Sequence, residues 1–372
     1  MTTHSTHKKK SRRLFIKTLT AGITTLGAAK PFHVIHAANR IRSKDSLGIA
    51  LIGLGSYSTG QLLPALQETS HVKLTGIVTG TPAKAKSWSE AQNIPAANIY
   101  NYENFDSIAE NPDIDIVYVV LPNSMHAEYS IRGSQAGKHV ICEKPMASTP
   151  EECRQMIAAA KKANRTLSIG YRMQYEPTTQ EIIRYQRENV MGDVVYVTAG
   201  AGYREGRKNH WKLKRSMSGG ALHDMGVYSL NAARYATGEE PISVRAQTFT
   251  HRPELFNEVD ETVTWQLEFP SGAVANLTTS FATGMNYLET RFRKGWYRLS
   301  PFQSYRGIKG EGSQGALNYP IINQQAAQMN ETAQRILEGR PMRVPGEEGL
   351  KDMIVVEAIW KSIARDGAKV KL

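Results

Sequence analysis

From Leu47 onward the chain alternates short apolar runs with helical stretches, and this rhythm holds to about Gly170. Leu47–Ile52 and Val72–Val78 read as strands, as do residues 116–121, 138–142 and 166–170. The run at 116–121 is continuously apolar and β-branched or aromatic until Leu121, the composition of a strand buried on both faces of a parallel sheet. Between the strands, residues 59–68, a segment opening near Pro82, residues 126–136 and residues 150–163 read as helices. Strand and helix in strict alternation predict an α/β Rossmann domain with a doubly wound parallel sheet over residues 47–170.

Beyond Tyr171 the period changes. Val263, Trp265, Leu267 and Phe269 alternate with polar residues, Pro270-Ser271-Gly272 turns the chain, and residues 273–279 return as the second arm of a hairpin. This half predicts a C-terminal α+β domain, residues 171–345, with a large open, mostly antiparallel sheet suited to a homodimer or homotetramer interface. Residues 347–365 place Leu350, Ile354, Val355, Ala358 and Ile359 on one helical face, so a C-terminal helix and tail are expected over residues 346–372.

Charge changes the picture at one end only. The net charge is +12, yet ten of the 46 basic residues and one of the 34 acids lie in residues 1–45, so the remaining 36 basic and 33 acidic residues leave +3. A basic binding face for nucleic acid therefore loses its support. Ser11-Arg12-Arg13-Leu14-Phe15-Ile16-Lys17, followed by a short mildly apolar stretch, resembles a twin-arginine export signal over residues 1–38, with a linker at 39–46. The stretch is too short to span a bilayer, so periplasmic export without stable membrane insertion is the expectation. Cys142 and Cys153 are too few for a disulfide framework and read as buried fillers.

Chemistry enters at the end of the first strand. Gly53-Leu54-Gly55-Ser56-Tyr57-Ser58 sits between a strand and a helix, the setting in which a glycine pair binds a dinucleotide. The first glycine permits the turn, the second admits the pyrophosphate, and the helix N-terminus meets the anion. After the second strand, Thr79-Gly80-Thr81-Pro82-Ala83-Lys84 carries no acid to bind a ribose 2′-hydroxyl. Two hydroxyls and a lysine there favour NADP over NAD, with Thr79 and Lys84 as candidates for the 2′-phosphate; a helix cap and a solvated lysine are the plain alternative.

Four further segments are Pro122-Asn123-Ser124-Met125-His126, Glu143-Lys144-Pro145, Gly170-Tyr171-Arg172 and Gly219-Gly220-Ala221-Leu222-His223-Asp224-Met225-Gly226-Val227-Tyr228. With them the chain resembles the glucose-fructose oxidoreductase family of sugar and inositol dehydrogenases from about Gly48 to its end. Asp-x-Gly-x-Tyr aligns it with the exported glucose-fructose and aldose-aldose oxidoreductases. The resemblance implies Tyr228 as acid/base, Asp224 as a sugar-hydroxyl partner and Lys144 as a contact to substrate and nicotinamide. It also implies a proline-rich N-terminal arm, for which only a few residues lie between the expected cleavage site at Ala37 or Ala38 and Leu47.

The residues support the same chemistry directly. Oxidising a carbinol needs a proton acceptor beside a sink for oxyanion charge, and a tyrosine next to an ammonium supplies both without a metal. Asp224 and Tyr228, four apart, should share a helical face. Glu143 is expected at the cofactor ribose, Arg172 at the nicotinamide end, and Pro122, Asn123 and His126 at the carboxyl edge of the sheet, His126 alternatively serving only its helix. Trp211 is grouped with the cofactor candidates, though its ring could equally stack on a sugar or pack at a domain seam. Loops at 203–212 and 281–293 are expected to recognise the sugar substrates. Two other readings stay open: a glycoside hydrolase using bound NAD transiently, and a dinucleotide sensor without catalysis.

Overall fold

The computed structural model describes residues 44–372; the expected export signal and most of the linker lie outside the described residues. Six parallel strands form the first sheet in the order β3-β2-β1-β4-β5-β6. They are β1 (Leu47–Ile52), β2 (Val72–Val78), β3 (Ile99–Tyr100), β4 (Ile116–Val119), β5 (His139–Cys142) and β6 (Leu167–Ile169). Every residue of β1 and β4 is buried, which is why both read as unbroken apolar runs. The two-residue β3 has no legible pattern and pairs only through Ile77 and Val78 of β2.

Local chemistry sets the helix starts. Pro82 and Pro150 occupy first helical turns, where a missing N–H is harmless, and Thr149 with Glu152 closes a reciprocal capping box before Pro150–Lys162. The helix after β1 departs from expectation: it opens at Ser56, widens into a π-turn over Ser58–Leu62 and is α again at Leu63–Leu66.

The second sheet has nine strands: β7 (Val194–Gly202), β8 (Ser243–Phe249), β9 (Thr262–Glu268), β10 (Val274–Ser280), β11 (Met285–Phe292), β12 (Gly295–Leu299), β13 (Gly310–Gly312), β14 (Gly315–Leu317) and β15 (Val370–Lys371). All its pairings are antiparallel except β7 with β10. The hairpin β9–β10 falls where the alternation placed it, with Val263, Trp265 and Leu267 buried. Helix Val227–Thr237 lies against this sheet and is buried almost throughout.

Two boundaries need correction. Helix Gln324–Glu338, assigned by sequence to the substrate domain, packs Ala326, Met329, Ala333 and Ile336 into the core that holds Leu47, Ile49 and Ile77 of the parallel sheet. The final segment is no free tail, because Val370 and Lys371 add a strand to β8. On helix Gly346–Ile363, Ile354 is exposed rather than on the apolar face. Both cysteines are free and buried. Among the described residues no helix is long and apolar enough to cross a membrane.

Candidate active site

The carboxyl ends of β1, β2, β4 and β5 carry the turns that sequence nominated. Gly53 adopts φ +94°, and a Cβ there would lie 2.4 Å from the Val120 carbonyl oxygen, so only glycine fits. A Cβ on Gly55 would meet nothing within 4 Å, leaving that backbone face open to an approaching group. Leu54 is buried beneath the turn, Ser56 is exposed and Tyr57 half-buried. Ser58 replaces a third glycine without loss of closeness, since its hydroxyl donates to the Gly53 carbonyl at 2.6 Å.

At the end of β2, Thr79 is buried and its hydroxyl accepts from the Thr81 N–H at 3.2 Å. Gly80 lies against the Tyr102 ring, where a Cβ would approach to 2.9 Å. Thr81 precedes the helix without capping it, and Lys84 is exposed one turn on. Among the described residues Lys84 has no ion-pair partner, so its ammonium is available to an anion. This open Gly55 face, the acid-free β2 end and the free Lys84 fit a dinucleotide bearing a 2′-phosphate.

The turn after β4 is engaged internally. Pro122 starts a short 3₁₀ turn, and Asn123 donates to the Ser218 carbonyl at 2.8 Å, tying the parallel sheet to the segment ahead of helix Val227–Thr237. His126 is 1% exposed, and its ring nitrogens sit 2.8 Å from the Pro145 oxygen and 2.9 Å from the Leu121 oxygen. The neutral ring donates to one of these main-chain oxygens and packs between the turns that follow β4 and β5. Burial pushes its pKa down.

Glu143 is buried and accepts from the Tyr118 hydroxyl at 2.7 Å, Tyr118 in turn accepting from Gln328 at 3.0 Å. Burial pushes the Glu143 carboxyl up against the pull of that hydrogen bond and of Lys144. Lys144, joined to Pro145 by a cis peptide bond, is the hub of the site. Its ammonium donates to the Asp224 main-chain oxygen at 2.7 Å, stands 3.5 Å from Asp224 Oδ1, and lies 4.9 Å from the centre of the Tyr228 ring. Burial opposes its charge, but Tyr228, Asp224 and Glu143 together raise its pKa above the usual lysine range.

Asp224 and Tyr228 do face one site, although Asp224 lies in a π-turn, Leu222–Gly226, that opens into helix Val227–Thr237. Burial pushes the Asp224 carboxyl up; the Lys212 and Lys144 ammoniums override it and hold it well below the usual carboxylate range. Arg172 is buried, only 2% exposed. Its guanidinium donates to Gln303 at 2.7 Å and to Gln324, and lies 4.2 Å from the Tyr305 ring centre and 5.4 Å from that of Tyr228. Arg172 Nε is buried without a partner.

Trp211 packs with His210 and Lys212, and Lys212 in turn reaches Asp224. Sequence reasoning missed Lys212, Tyr203 and Tyr305 as individual side chains. The first two fall in a loop it flagged, and Tyr305 stands in an irregular segment with no periodic signal. A separate cavity of about 620 Å³ is lined by His223, Ser148, Asp260 and Trp360 among others, and by none of Lys144, Asp224 and Tyr228. Among the described residues no group of three or more His, Cys, Asp and Glu side chains is placed to hold a metal.

Comparison with known proteins identifies the family. A model described as the oxidoreductase family with an NAD-binding Rossmann fold matches residues 47–171, and one for the GFO/IDH/MocA C-terminal domain matches residues 179–297. The crystal structure of aldose-aldose oxidoreductase from Caulobacter crescentus, complexed with glycerol, superposes with a TM-score of 0.85 at 43% identity, covering 88% of this chain and 100% of that one. D-xylose 1-dehydrogenase [NADP(+)] of Haloarcula marismortui is 26% identical over 324 residues, 84% of this chain and 90% of the relative. Trans-1,2-dihydrobenzene-1,2-diol dehydrogenase of Xenopus laevis is 30% identical over 242 residues, 62% of this chain and 69% of the relative.

Proposed function

Since the chain belongs to the GFO/IDH/MocA oxidoreductase family, we propose that it is an NADP-dependent sugar oxidoreductase with Tyr228 as its acid/base. In this reading it oxidises an aldose to its lactone and reduces a second sugar on the same bound cofactor. The observation that carries it is the Lys144 ammonium 4.9 Å from the Tyr228 ring and bonded at 2.7 Å to the Asp224 main chain. The names of the Caulobacter and Haloarcula proteins support an aldose substrate and NADP.

Gly53, Gly55, Thr79 and Lys84 would hold the dinucleotide, Glu143 its ribose, and Arg172 the nicotinamide end. When bound, NADP supplies the hydride acceptor and donor. Tyr228 takes the carbinol proton as the carbon–hydrogen bond is lost and returns one to a carbonyl oxygen in the reverse direction. Lys144 keeps a fixed positive charge beside both oxygens, so the developing negative charge meets a preorganised partner. Asp224, held as an anion, accepts from a neighbouring sugar hydroxyl and aligns the carbinol.

Export by the twin-arginine route would carry the folded, loaded protein into a compartment without an NADP pool, which favours two sugars exchanging hydride on one retained cofactor. Dialysed protein incubated with glucose, fructose and other aldoses, without added NADP, should yield paired lactone and alditol, and should carry nucleotide detectable by mass spectrometry. No sugar turnover with or without added NADP would refute the reading. Turnover only with added NADP would refute cofactor retention alone.

A further inference from the structure

Asp224 is gripped from two sides by lysines of different origin. Lys144 comes from the end of β5 and Lys212 from the short 3₁₀ turn Trp211–Leu213. Oδ2 accepts from Lys212 Nζ at 2.6 Å and from the Tyr203 hydroxyl at 3.2 Å. Lys212 also donates to the Tyr203 hydroxyl at 3.1 Å, so lysine, tyrosine and carboxylate close a triangle, with Glu205 Oε2 competing at 3.2 Å for the same hydroxyl proton. On the opposite side, Lys144 Nζ stays 3.5 Å from Oδ1 and spends its short contact on the main-chain oxygen.

That asymmetry has a physical cause. An ammonium and a carboxylate free to meet settle at about 2.7–2.9 Å. A buried carboxylate with a single cation would close on it, because the low-dielectric surroundings strengthen the attraction. Here Lys212 and Tyr203 hold Oδ2, and the Lys144 contact remains long. The Lys144 ammonium is then left shared between the Asp224 backbone and the Tyr228 ring.

We propose that Lys212, steadied by Tyr203, is a positioning residue that holds the Asp224 carboxylate off the Lys144 ammonium and so keeps that ammonium directed at Tyr228. The role rests on the acid/base reading above but makes a separate structural demand. Lys212 acts through Asp224 and Lys144, so its removal should slow the proton-transfer step more than it weakens cofactor binding. Arginine can still bridge to the carboxylate, and should retain much of the effect.

The test compares K212M, K212R and Y203F with the wild type in crystal structures and in steady-state sugar oxidation with NADP. For K212M we expect a Lys144 Nζ–Asp224 carboxylate contact shortened to about 2.9 Å. We also expect kcat reduced by roughly tenfold or more, an acidic limb of the kcat profile moved to higher pH, and NADP affinity within about twofold of the wild type. K212R should recover most of kcat, and Y203F should fall between. A K212M enzyme with the Lys144 contact still near 3.5 Å and an unmoved pH profile would overturn the proposal. If the wild type turns over no sugar, the functional reading fails, while the crystallographic comparison still decides the role of Lys212.

Discussion

The Lys144 ammonium donates to the main-chain oxygen of Asp224 at 2.7 Å, although the two residues are 80 positions apart and belong to different sheets' surroundings. The same ammonium lies against the Tyr228 ring, so one side chain links the π-turn at Asp224 to the proposed acid/base. Removing the phenol while keeping the ring isolates the acid/base role. Tyr228→Phe should lower kcat by about 10²- to 10⁴-fold, with NADP binding and thermal unfolding little changed. Retention of more than a tenth of wild-type kcat would take proton transfer away from Tyr228.

Cofactor choice should reside at the exposed Lys84. A charge-assisted contact to a phosphate contributes about 1.5–3 kcal/mol, discounted here for solvent screening. Lys84→Ala is therefore expected to weaken NADP binding about tenfold and leave NAD binding within about twofold, read by fluorescence titration of both dinucleotides. An unchanged NADP-to-NAD ratio would remove Lys84 from the 2′-phosphate.

Gly53 tolerates no side chain, for reasons of backbone and space together. Alanine at φ +94° is strained, and its Cβ would collide with the Val120 carbonyl oxygen at 2.4 Å. Gly53→Ala should cost about 2 kcal/mol or more of folding stability in urea and abolish measurable dinucleotide binding. The control Gly55→Ala, at a position with no atom within 4 Å of the new Cβ, should fold normally and lose affinity only through crowding of the cofactor.

Behind helix Val227–Thr237, Asp352 is fully buried and accepts from Tyr171 at 2.6 Å, from Arg234 at 2.6 Å and from Asn231. Asp352→Asn leaves Arg234 with Glu240 and Glu348 but without its buried partner. The loss should be about 3 kcal/mol, near the low end for a broken buried pair, measured by denaturant unfolding. A loss under about 1 kcal/mol would show that the two remaining carboxylates suffice.

Burial pushes His223 down to about 4, against a weaker contribution from the Ser148 backbone, and pushes His139 down to about 3. Both native values lie below the unfolded histidine value of about 6.5, so the unfolded chain binds more protons in this window. Stability is full above pH ~6.5 and is lost as pH falls toward 4, by about 2 kcal/mol per histidine at pH 5. Asp260, raised to about 6 by burial, works in the opposite sense and softens the loss. His223→Asn should flatten the slope of unfolding free energy between pH 7 and 5, whatever it does to the absolute value.

The strands β1 and β2 coincide with their sequence boundaries, and β4, β5 and β6 fall within a residue or two; β1 and β4 are buried at every position and apolar throughout, whereas β2 exposes Lys73 and was read from the apolar residues around it. Gly53, Gly55, Thr79 and Lys84 were legible for a related reason: a tight turn, an open backbone and the chemistry of a strand end are local properties. What His126 and Trp211 touch was not legible, because neither the first residue of a helix nor a residue of a short 3₁₀ turn carries a local mark of which surface its ring meets. The two-residue β3 and the crossing of helix Gln324–Glu338 onto the parallel sheet had no periodic signature either.

The sequence by itself therefore determined the two sheets, the dinucleotide turn and the identity of Lys144, Asp224 and Tyr228 as candidates. Only the tertiary structure decided that Lys144 bridges the other two, that Lys212 and Tyr203 hold the far side of Asp224, and that His126 packs between the turns after β4 and β5. The reason is the range of the forces concerned. Strand burial and turn geometry act between near neighbours along the chain, whereas ion pairs and hydrogen bonds in the cleft join loops from separate elements, whose meeting is set by how the whole core packs.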